Sequence, residues 1–213
     1  MNSSPNASLS PSQKSTTSGL FDQTALSDLA QRLVEAAKRA GADAADAIAV
    51  RGVSQGVEVR EGKVEESERS EGDDVGLRVF VGKRQAVVST SDIGGDVAKL
   101  AERAVAMAKV APDDEYVGLA DPALLAKQFP DLDLLDPQMP SVAELERRAL
   151  EAEAAALAVK GVSKSGGASA SSGIGGMVLV TSTGFHGSYL RSSQSVSAVA
   201  IAGEGTGMER DYD

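Results

Sequence analysis

The sequence contains one histidine and no cysteine, which limits the catalytic and metal-binding sites that it could form. The histidine, His186, lies in the glycine-flanked segment Gly184–Gly187. Zinc sites combine several His, Cys or carboxylate ligands, and neither a second His nor a Cys exists to share a metal with His186. We therefore interpret His186 as a structural or solvated turn residue.

Three consecutive acidic residues, Asp113, Asp114 and Glu115, could supply oxygen ligands to Mg²⁺ or Ca²⁺. An EF-hand loop places its ligands at alternate positions, and this cluster lacks that spacing. It also follows directly on a predicted helix. We interpret the cluster as a solvated turn at a helix exit.

Two further segments contain residue types that occur in phosphate-binding and nucleophilic sites. Residues 173–176 (GIGG) are glycine-rich, but a phosphate-binding loop leads into a helix, whereas a strand pattern follows here. Lys164 and Ser165 are adjacent, yet no base is positioned to activate the serine. We predict no catalytic residue, no cofactor-binding residue and no metal ligand in this chain.

Glu65, Glu66 and Glu68 make residues 65–70 (EESERS) polar on both faces of a predicted strand. One interpretation is an edge strand whose charges oppose edge-to-edge aggregation. The other is a surface strand that pairs with another domain or with an extended peptide by β-addition. The residues alone leave both alternatives open.

The composition is that of a folded, acidic protein. Hydrophobic residues make up 42% of the 213 residues and aromatic residues only 3%, so the core must consist of Val, Leu, Ala and Ile. The net charge of −10 argues against a general nucleic-acid surface. The sequence lacks the roughly 18 consecutive apolar residues of a membrane span, and the absence of Cys fits a reducing cytoplasm.

The stretch from Gly56 to Asp92 has the alternation and the short polar turns of an antiparallel meander. A strand at residues 45–53 leads into it. Four short strands are then predicted, with turns at Gly62, residues 72–74 and residues 82–83: Val57–Arg60, Val64–Ser70, Val75–Val81 and Arg84–Thr90.

Two amphipathic helices flank the meander. The first is predicted over Gln23–Ala40, with Asp22 or Thr24 as its cap, and the second runs from Asp92 to Pro112. Packing both helices on one face of the sheet gives an α+β, two-layer sandwich. The other face, which is wet or covered by another domain, carries Glu58, Arg60, Arg78 and either Glu65 or Glu66.

Residues 113–140 indicate an irregular connection that Leu132, Leu134 and Leu135 hold against the surface. A third helix starts at Ser141 with a capping box formed with Glu144. Three strands follow, with loops at residues 173–176 and 183–187.

The pattern predicts three regions: a disordered Ser/Thr-rich tail at residues 1–20, an α+β domain at 21–140, and a helix with a β-rich segment at 141–213 that begins a second domain. Because that last sheet has little material of its own to pack against, we expect the chain to be a truncated part of a longer protein.

Several segments, in this order and spacing, resemble the N-terminal portion of the TldD/PmbA family over residues 25–213. They are Gly56-Val-Glu-Val-Arg60-Glu-Gly62-Lys-Val64-Glu65, Gly76-Leu-Arg-Val-Phe-Val81, Ser89-Thr-Ser-Asp92, the segment AKVAPDDEYVGLA that begins at Ala108, and Asp131-Leu-Asp-Leu-Leu-Asp136. The closing segment Gly207-Met-Glu-Arg-Asp-Tyr212 is similar to the PmbA (TldE) branch.

The resemblance implies a cytoplasmic heterodimeric metalloprotease that trims or degrades peptides, a family also named modulator of DNA gyrase. There, a TldD-type subunit holds zinc with a His-Glu-x-x-x-His helix and a later Cys. This chain lacks that motif, so we expect it to be inert alone, with the zinc in its TldD-type partner and no cofactor of its own. By the same resemblance, residues 65–70 and the final strands are candidate surfaces for the chamber and the subunit contact.

Two hypotheses follow. In the first, the chain is the non-catalytic N-terminal part of a PmbA/TldE-like subunit of a zinc protease that acts on peptides. In the second, it is a non-enzymatic module that binds DNA gyrase or toxin–antitoxin proteins, where an acidic surface would speed encounter with a basic partner. Neither requires a membrane or direct contact with nucleic acid.

Overall fold

The computed structural model describes residues 22–213, and the tail predicted for residues 1–20 lies outside them. The elements are α1 (Thr24–Arg39), β1 (Ala44–Arg60), β2 (Lys63–Val81), β3 (Arg84–Thr90), α2 (Val97–Val110), α3 (Val142–Leu157), β4 (Val162–Thr181), β5 (His186–Ala202) and β6 (Glu209–Tyr212), with short 3-10 turns at Pro122–Leu124 and Gly205–Gly207. The predicted α+β class is confirmed. Within residues 22–213, no helix combines the length and the apolar character that crossing a bilayer requires.

The six strands form one antiparallel sheet in the order β3-β2-β1-β4-β5-β6. β2 pairs with β3 from Val75↔Thr90 to Val81↔Arg84. β5 pairs with β6 from Val199↔Tyr212 to Ala202↔Glu209. Because β1, β2 and β3 are neighbours in both the chain and the sheet, the predicted meander is confirmed.

The meander has fewer and longer strands than the sequence predicts. β2 continues through residues 72–74, where a turn is predicted, and β1 is one strand from Ala44 to Arg60. Aspartate is disfavoured in strands, but Arg51 donates to both carboxylate oxygens of Asp73, at 2.7 and 2.9 Å. This ion pair between β1 and β2 stabilises an extended conformation at Asp73, where the Gly-Asp-Asp pattern predicts a turn.

β4 also runs without interruption through residues 173–176, so the predicted loop there is wrong. A Cβ atom on Gly173 would lie 3.1 Å from the carbonyl oxygen of Val53 in β1. The glycine at position 173 therefore allows β4 to lie close to β1, and close backbone approach is a common reason for glycine inside a strand. The turn predicted at residues 183–187 is present, because β5 begins at His186 after Gly184, whose φ is +93°.

The described residues divide into two compact units. The first contains the described residues up to Arg51, Asp73–Phe129 and Gly176–Tyr189, and the second contains Gly52–Gly72, Pro130–Gly175 and Leu190–Asp213. The domain boundary predicted between residues 140 and 141 stays a prediction.

The core of the first unit joins α1 and α2 to one face of the strands, as the two-layer prediction requires. Its buried members are aliphatic and mostly small: Leu26, Leu29, Ala30, Leu33, Val34, Ala36 and Ala37 from α1, Ala101, Ala104, Val105 and Ala108 from α2, and residues of the strands that include Ala45, Ala47, Ala49, Val75, Leu77 and Val79. The alanines let the two contacting helices approach each other and the sheet closely.

The start of α1 differs slightly from the prediction. Gln23 occupies the N-cap position and makes no capping hydrogen bond through its side chain. The carboxylate of Asp22, which precedes the N-cap residue, accepts from the N–H of Thr24, the first residue of α1, at 2.9 Å. Asp22 therefore satisfies an N–H group at this end of α1, which is the role that the sequence predicts for it.

α2 begins at Val97, five residues after the predicted start at Asp92, and ends at Val110. Asp96 defines the new start because its carboxylate accepts from two N–H groups of the first turn, at 3.0 and 3.2 Å. Pro112 ends the helix as predicted, since the residue before a proline is forced into the extended region.

The second unit has a smaller core between α3 and the strands. Its buried members are Val57 and Val59 from β1, Leu145 and Ala149 from α3, and Ala168 and Ala170 from β4. The irregular segment before α3 follows β5 through backbone contacts, because the carbonyl of Leu134 accepts from the N–H of Ser192 at 2.9 Å. The side chains of Leu132 and Leu134 stay 65% and 45% exposed. Of the three leucines predicted to hold the segment, Leu135 alone is half-buried.

The polar face predicted for the sheet is present at Arg78, which alternates with the buried Leu77 and Val79 of β2. Its Nε donates to Asp46 at 3.1 Å, and its guanidinium lies 5.1 Å from the centre of the Phe80 ring. Because a neighbouring carboxylate neutralises it, Arg78 lies half-buried on the sheet without an unpaired charge.

A glycine in β4 provides a test of the contact between β4 and β5. A Cβ atom on Gly166 would lie 2.6 and 2.9 Å from the branched side chain of Val199 in β5. We expect Gly166→Ala to lower the free energy of unfolding by about 1–3 kcal/mol, because a stiff β-branched neighbour cannot move aside. The measurement is the urea midpoint followed by circular dichroism.

The matched control is Gly72→Ala, since a Cβ atom at Gly72 would meet nothing within 4 Å. We expect that variant to be neutral or slightly more stable, because alanine reduces the freedom of the unfolded chain. Equal loss of stability in both variants would contradict the predicted collision at Val199.

Candidate functional site

The first ten residues of β2, Lys63–Gly72, form the most exposed stretch of strand in the second unit. Every one of them is exposed to solvent. β3 is the outer neighbour of β2 in the sheet, and it pairs with residues 75–81 alone. Among residues 22–213, no strand pairs with the outer side of residues 63–72, the exposed edge. Free backbone N–H and C=O groups of such an edge can accept a further strand.

Charged side chains occupy most of the exposed edge: Lys63, Glu65, Glu66, Glu68, Arg69 and Glu71. Two ion pairs involve them. Arg69 pairs with Glu71, and Arg60 lies 3.4 Å from Glu65, with each of these four side chains about half exposed. Exposed pairs of this kind contribute little to stability, so these charges remain available to a partner.

The turn that precedes the exposed edge is tight and left-handed. Glu61 and Gly62 connect β1 to β2 with φ values of 51° and 72°. Two consecutive positive φ angles are the signature of a type I′ hairpin turn. The Gly62 turn is thus confirmed, and it requires glutamate to adopt a conformation that glycine and asparagine adopt more easily.

A buried carboxylate holds this turn in place. Glu153 on α3 is only 3% exposed, and its two oxygens accept from the backbone N–H groups of Glu61 and Gly62, each at 2.8 Å. The hydroxyl of Ser165 in β4 donates to the same carboxylate. One side chain therefore links α3, β4 and the turn that starts the exposed edge.

The environment of Glu153 favours its charged form. Burial by itself raises the pKa of this carboxyl, but the hydrogen bonds from Ser165, Gly62 and Glu61 and the charge of Arg60 together lower the pKa below its ordinary value. A carboxylate that accepts several hydrogen bonds stays ionised even when it is buried.

A second contact supports the exposed edge farther along. Arg69 donates to the side-chain oxygen of Gln55 in β1, at 3.4 Å, and Gln55 donates to the backbone carbonyl of Pro140. Gln55 is itself buried, at 8% exposure. The strand edge is thus connected to the residue that precedes α3.

The capping of α3 differs in part from the prediction. The hydroxyl of Ser141 accepts from the N–H of Glu144 at 3.2 Å, as a capping box requires. The carboxylate of Glu144 turns outward instead and accepts from Arg147 and Arg148. These two guanidinium groups lower the pKa of Glu144 to about 2.

The final strand forms the opposite border of the sheet. β6 pairs with β5 on one side only, and all four of its residues are exposed. Tyr212 is 79% exposed and Met208, just before the strand, is 46% exposed. β6 is therefore the second strand edge that could contact another chain.

The residues that the sequence singles out lie apart from one another in the structure. His186 pairs through Nε2 with the hydroxyl of Ser27, at 2.9 Å, and Asp113 accepts from Arg84 at 2.6 Å. Among residues 22–213, no three His, Asp or Glu side chains gather as a metal site would require. A cleft of 310 Å³ beside α2 is lined by Leu29, Leu33 and Leu100, with Asp96 and Lys99 among its polar lining.

Glu153, which positions the turn before the exposed edge, is the side chain that sequence reasoning missed. The buried line of α3 is Leu145, Ala149 and Glu153, at four-residue spacing. A glutamate on an apolar line is itself a signal, because a buried charge must have hydrogen-bonding partners.

Comparison of the sequence with known proteins identifies its family. Residues 45–108 match the PmbA/TldA metallopeptidase domain 1, and residues 135–213 match the PmbA/TldA metallopeptidase central domain. The chain is 35% identical over 208 residues to the metalloprotease PmbA homolog of Haemophilus influenzae. It belongs to the PmbA/TldD family.

The similarity to PmbA proteins covers only part of their length. The alignment with the Haemophilus influenzae protein includes 96% of this chain and 46% of that relative. The alignment with metalloprotease PmbA of Escherichia coli O157:H7, also 35% identical, includes 73% of this chain and 35% of that protein. The chain thus spans about half the length of the PmbA relatives it matches.

Solved structures share the fold of this PmbA/TldD chain. A candidate modulator of DNA gyrase from Bacteroides thetaiotaomicron has a TM-score of 0.74 at 22% identity and covers 87% of this chain with 43% of its own. TldE from Thermococcus kodakarensis has a TM-score of 0.68 at 16% identity and covers 87% of this chain with 42% of its own. At these identities the likeness concerns the fold.

The buried carboxylate leads to a prediction about pH. We expect Glu153→Gln to lower the free energy of unfolding by about 1–3 kcal/mol at neutral pH, because the amide loses charge-assisted bonds and directs an N–H group toward other donors. Since the folded-state pKa is lowered, the advantage of wild type is complete above the unfolded pKa, near 4.3. It shrinks as the pH falls through the folded value.

The measurement is urea unfolding of both proteins between pH 7 and pH 3. Glu151→Gln is the control, since the side chain of Glu151 is 63% exposed and pairs with Arg147 at the surface. A difference between wild type and Glu153→Gln that stays constant down to pH 3 would contradict an ionised Glu153.

Proposed function

We propose that this chain is the non-catalytic, N-terminal portion of a PmbA/TldE-like subunit in a cytoplasmic, heterodimeric zinc metalloprotease that acts on peptides. The observation that supports this most directly is the match, in chain order, to domain 1 and the central domain of PmbA/TldA metallopeptidases. The relatives named metalloprotease PmbA support the reaction class, hydrolysis of peptide bonds.

The residues of this chain do not fit a zinc site. The sequence has a single His and no Cys, and within residues 22–213 no group of three metal-ligating side chains converges. His186 is engaged with Ser27. Zinc and the water that it activates would accordingly come from the TldD-type partner, and no step of the reaction is assigned to a residue here.

What this portion can supply is shape and backbone contacts. The antiparallel sheet has exposed strand edges at residues 63–72 and at β6, and these could accept a partner subunit or an extended peptide. Main-chain pairing of this kind is indifferent to side-chain identity, so it would suit an enzyme that handles many peptide sequences.

A second candidate function is a module that modulates DNA gyrase without proteolysis. Its support is the description of two neighbours of the same fold, from Bacteroides thetaiotaomicron and Thermotoga maritima, as candidate modulators of DNA gyrase. The net charge of −10 would favour encounter with a basic partner surface.

Reconstitution tests the protease proposal. We expect the 213-residue chain, purified without chelators, to carry no stoichiometric zinc by atomic emission and to hydrolyse no unfolded peptide alone. Peptide hydrolysis should appear only when a full-length subunit containing this portion is combined with a TldD-type subunit, and it should disappear when the zinc motif of that partner is altered.

The control is the TldD-type subunit alone under the same conditions. Stoichiometric zinc in the isolated chain would overturn the non-catalytic assignment. Gyrase binding that persists at moderate salt, together with an inactive reconstituted pair, would instead support the second candidate.

A further inference from the structure

The cleft beside α2 lies within the first unit and combines an apolar floor with charged groups at its mouth. We propose that this α2 cleft binds a short peptide, two or three residues long, whose two termini are free. The site is formed by this chain alone, so the binding itself requires neither zinc nor a partner subunit. Only its biological meaning, the capture of a product of peptide hydrolysis, rests on the proposed function.

The floor of the α2 cleft consists of aliphatic side chains. Three of them are at most 4% exposed and belong to the core of the first unit: Leu29, Leu33 and Val75. Three more pack against that core and stay half-buried: Ile93, Val97 and Leu100. The core thus leaves part of their apolar surface open to the cleft, and an apolar side chain of a ligand would be buried favourably there.

Two of the four charged side chains that line the cleft already have partners. The carboxylate of Asp96 accepts from the N–H groups of Ala98 and Lys99, and it lies 3.8 Å from the ammonium group of Lys99. The other two are Asp92 and Arg103, and among residues 22–213 neither side chain makes an ion pair or a hydrogen bond. One anion and one cation of the lining are therefore available to a ligand.

These two charges lie at different heights along α2. The carbonyl of Asp92 accepts from the N–H of Gly95 at 3.2 Å, which places Asp92 at the turn before the helix. A Cβ atom on Gly95 would lie 3.0 Å from the carboxylate of Asp92, so the glycine leaves room for that group. Arg103 is the seventh residue of α2, about 9 Å of helix rise after Val97. Because helical side chains lean toward the N-terminus, the charges are separated by somewhat less than this rise.

This arrangement is complementary to a zwitterion with an apolar middle. A peptide with free termini carries an ammonium group for Asp92 and a carboxylate that Arg103 can bind through two N–H groups. The charges of a single amino acid are attached to one carbon atom and are too close together. Since a peptide extends by about 3.5 Å per residue at most, two or three residues span the separation. The volume of 310 Å³ also suits a small ligand.

Other classes of small ligand match the charges of the cleft less well. A fatty acid or a nucleotide carries anionic groups alone, and the carboxylate of Asp92 would repel them. An apolar amine would satisfy Asp92 and would be repelled by Arg103. Complementary charge at both ends is thus the feature that favours a peptide over these ligands.

Titration of the 213-residue chain with the tripeptide Ala-Leu-Ala tests the proposal. We expect saturable changes in the amide NMR shifts of the cleft residues at about pH 6.5, where the N-terminus of a peptide is protonated. Arg103→Gln should raise the dissociation constant of the free tripeptide about three- to fivefold, and it should leave that of the C-terminal amide unchanged. Asp92→Asn should weaken the free tripeptide by a similar factor and leave the N-acetyl tripeptide unaffected.

Lys109→Gln and Glu102→Gln are the matched controls. Both side chains are exposed on α2 and lie outside the cleft lining, so we expect both variants to bind the free tripeptide as wild type does. A wild-type chain that binds the amide or the N-acetyl peptide as tightly as the free tripeptide would overturn the zwitterion. Absence of saturable shifts at the cleft would overturn the site. Zinc content and peptide hydrolysis by the reconstituted pair are measured separately, so either failure leaves the protease proposal standing.

Discussion

The arrangement of the second unit depends on a single buried carboxylate, that of Glu153. The hairpin tip at Glu61 and Gly62 has two N–H groups that no strand partner can satisfy, and it adopts an uncommon left-handed backbone. Glu153 accepts from both groups and also from Ser165. Leaving a buried ion or buried amides without partners would be costly, so α3, β4 and the turn have to fold together.

That constraint explains how a fully exposed strand can remain ordered. Residues 63–72 bury almost no apolar side chain. They belong to the sheet through β1, which β4 flanks on its other side. The turn at one end is fixed by Glu153, and Arg69 contacts Gln55, which in turn bonds to Pro140. Polar contacts to positioned groups thus replace the apolar burial that stabilises the other strands. The cost is that the outer edge stays open to association.

The sequence predicts the periodic parts of the fold well, because alternation and helical spacing follow directly from local geometry. α1, α2 and the meander are of this kind. The predictions of turns and loops are wrong where a residue distant in the sequence overrides the local conformational preference. Arg51 neutralises Asp73, so residues 72–74 form a strand where the sequence predicts a turn. Val53 lies so close to Gly173 that a glycine is needed there within the strand. The partner of His186, Ser27, is 159 positions away, and no local pattern indicates it.

The acidic excess of the chain has a structural use. In the irregular connection before α3, four aspartates each accept from the N–H two residues ahead: Asp114, Asp121, Asp131 and Asp136. Such turns order a segment that has no regular element. Each of these carboxylates is engaged with its own backbone, and among residues 22–213 no three acidic side chains gather as a metal site would require. The aspartates of this connection organise the backbone, whereas the glutamates of residues 63–72 stay exposed to solvent.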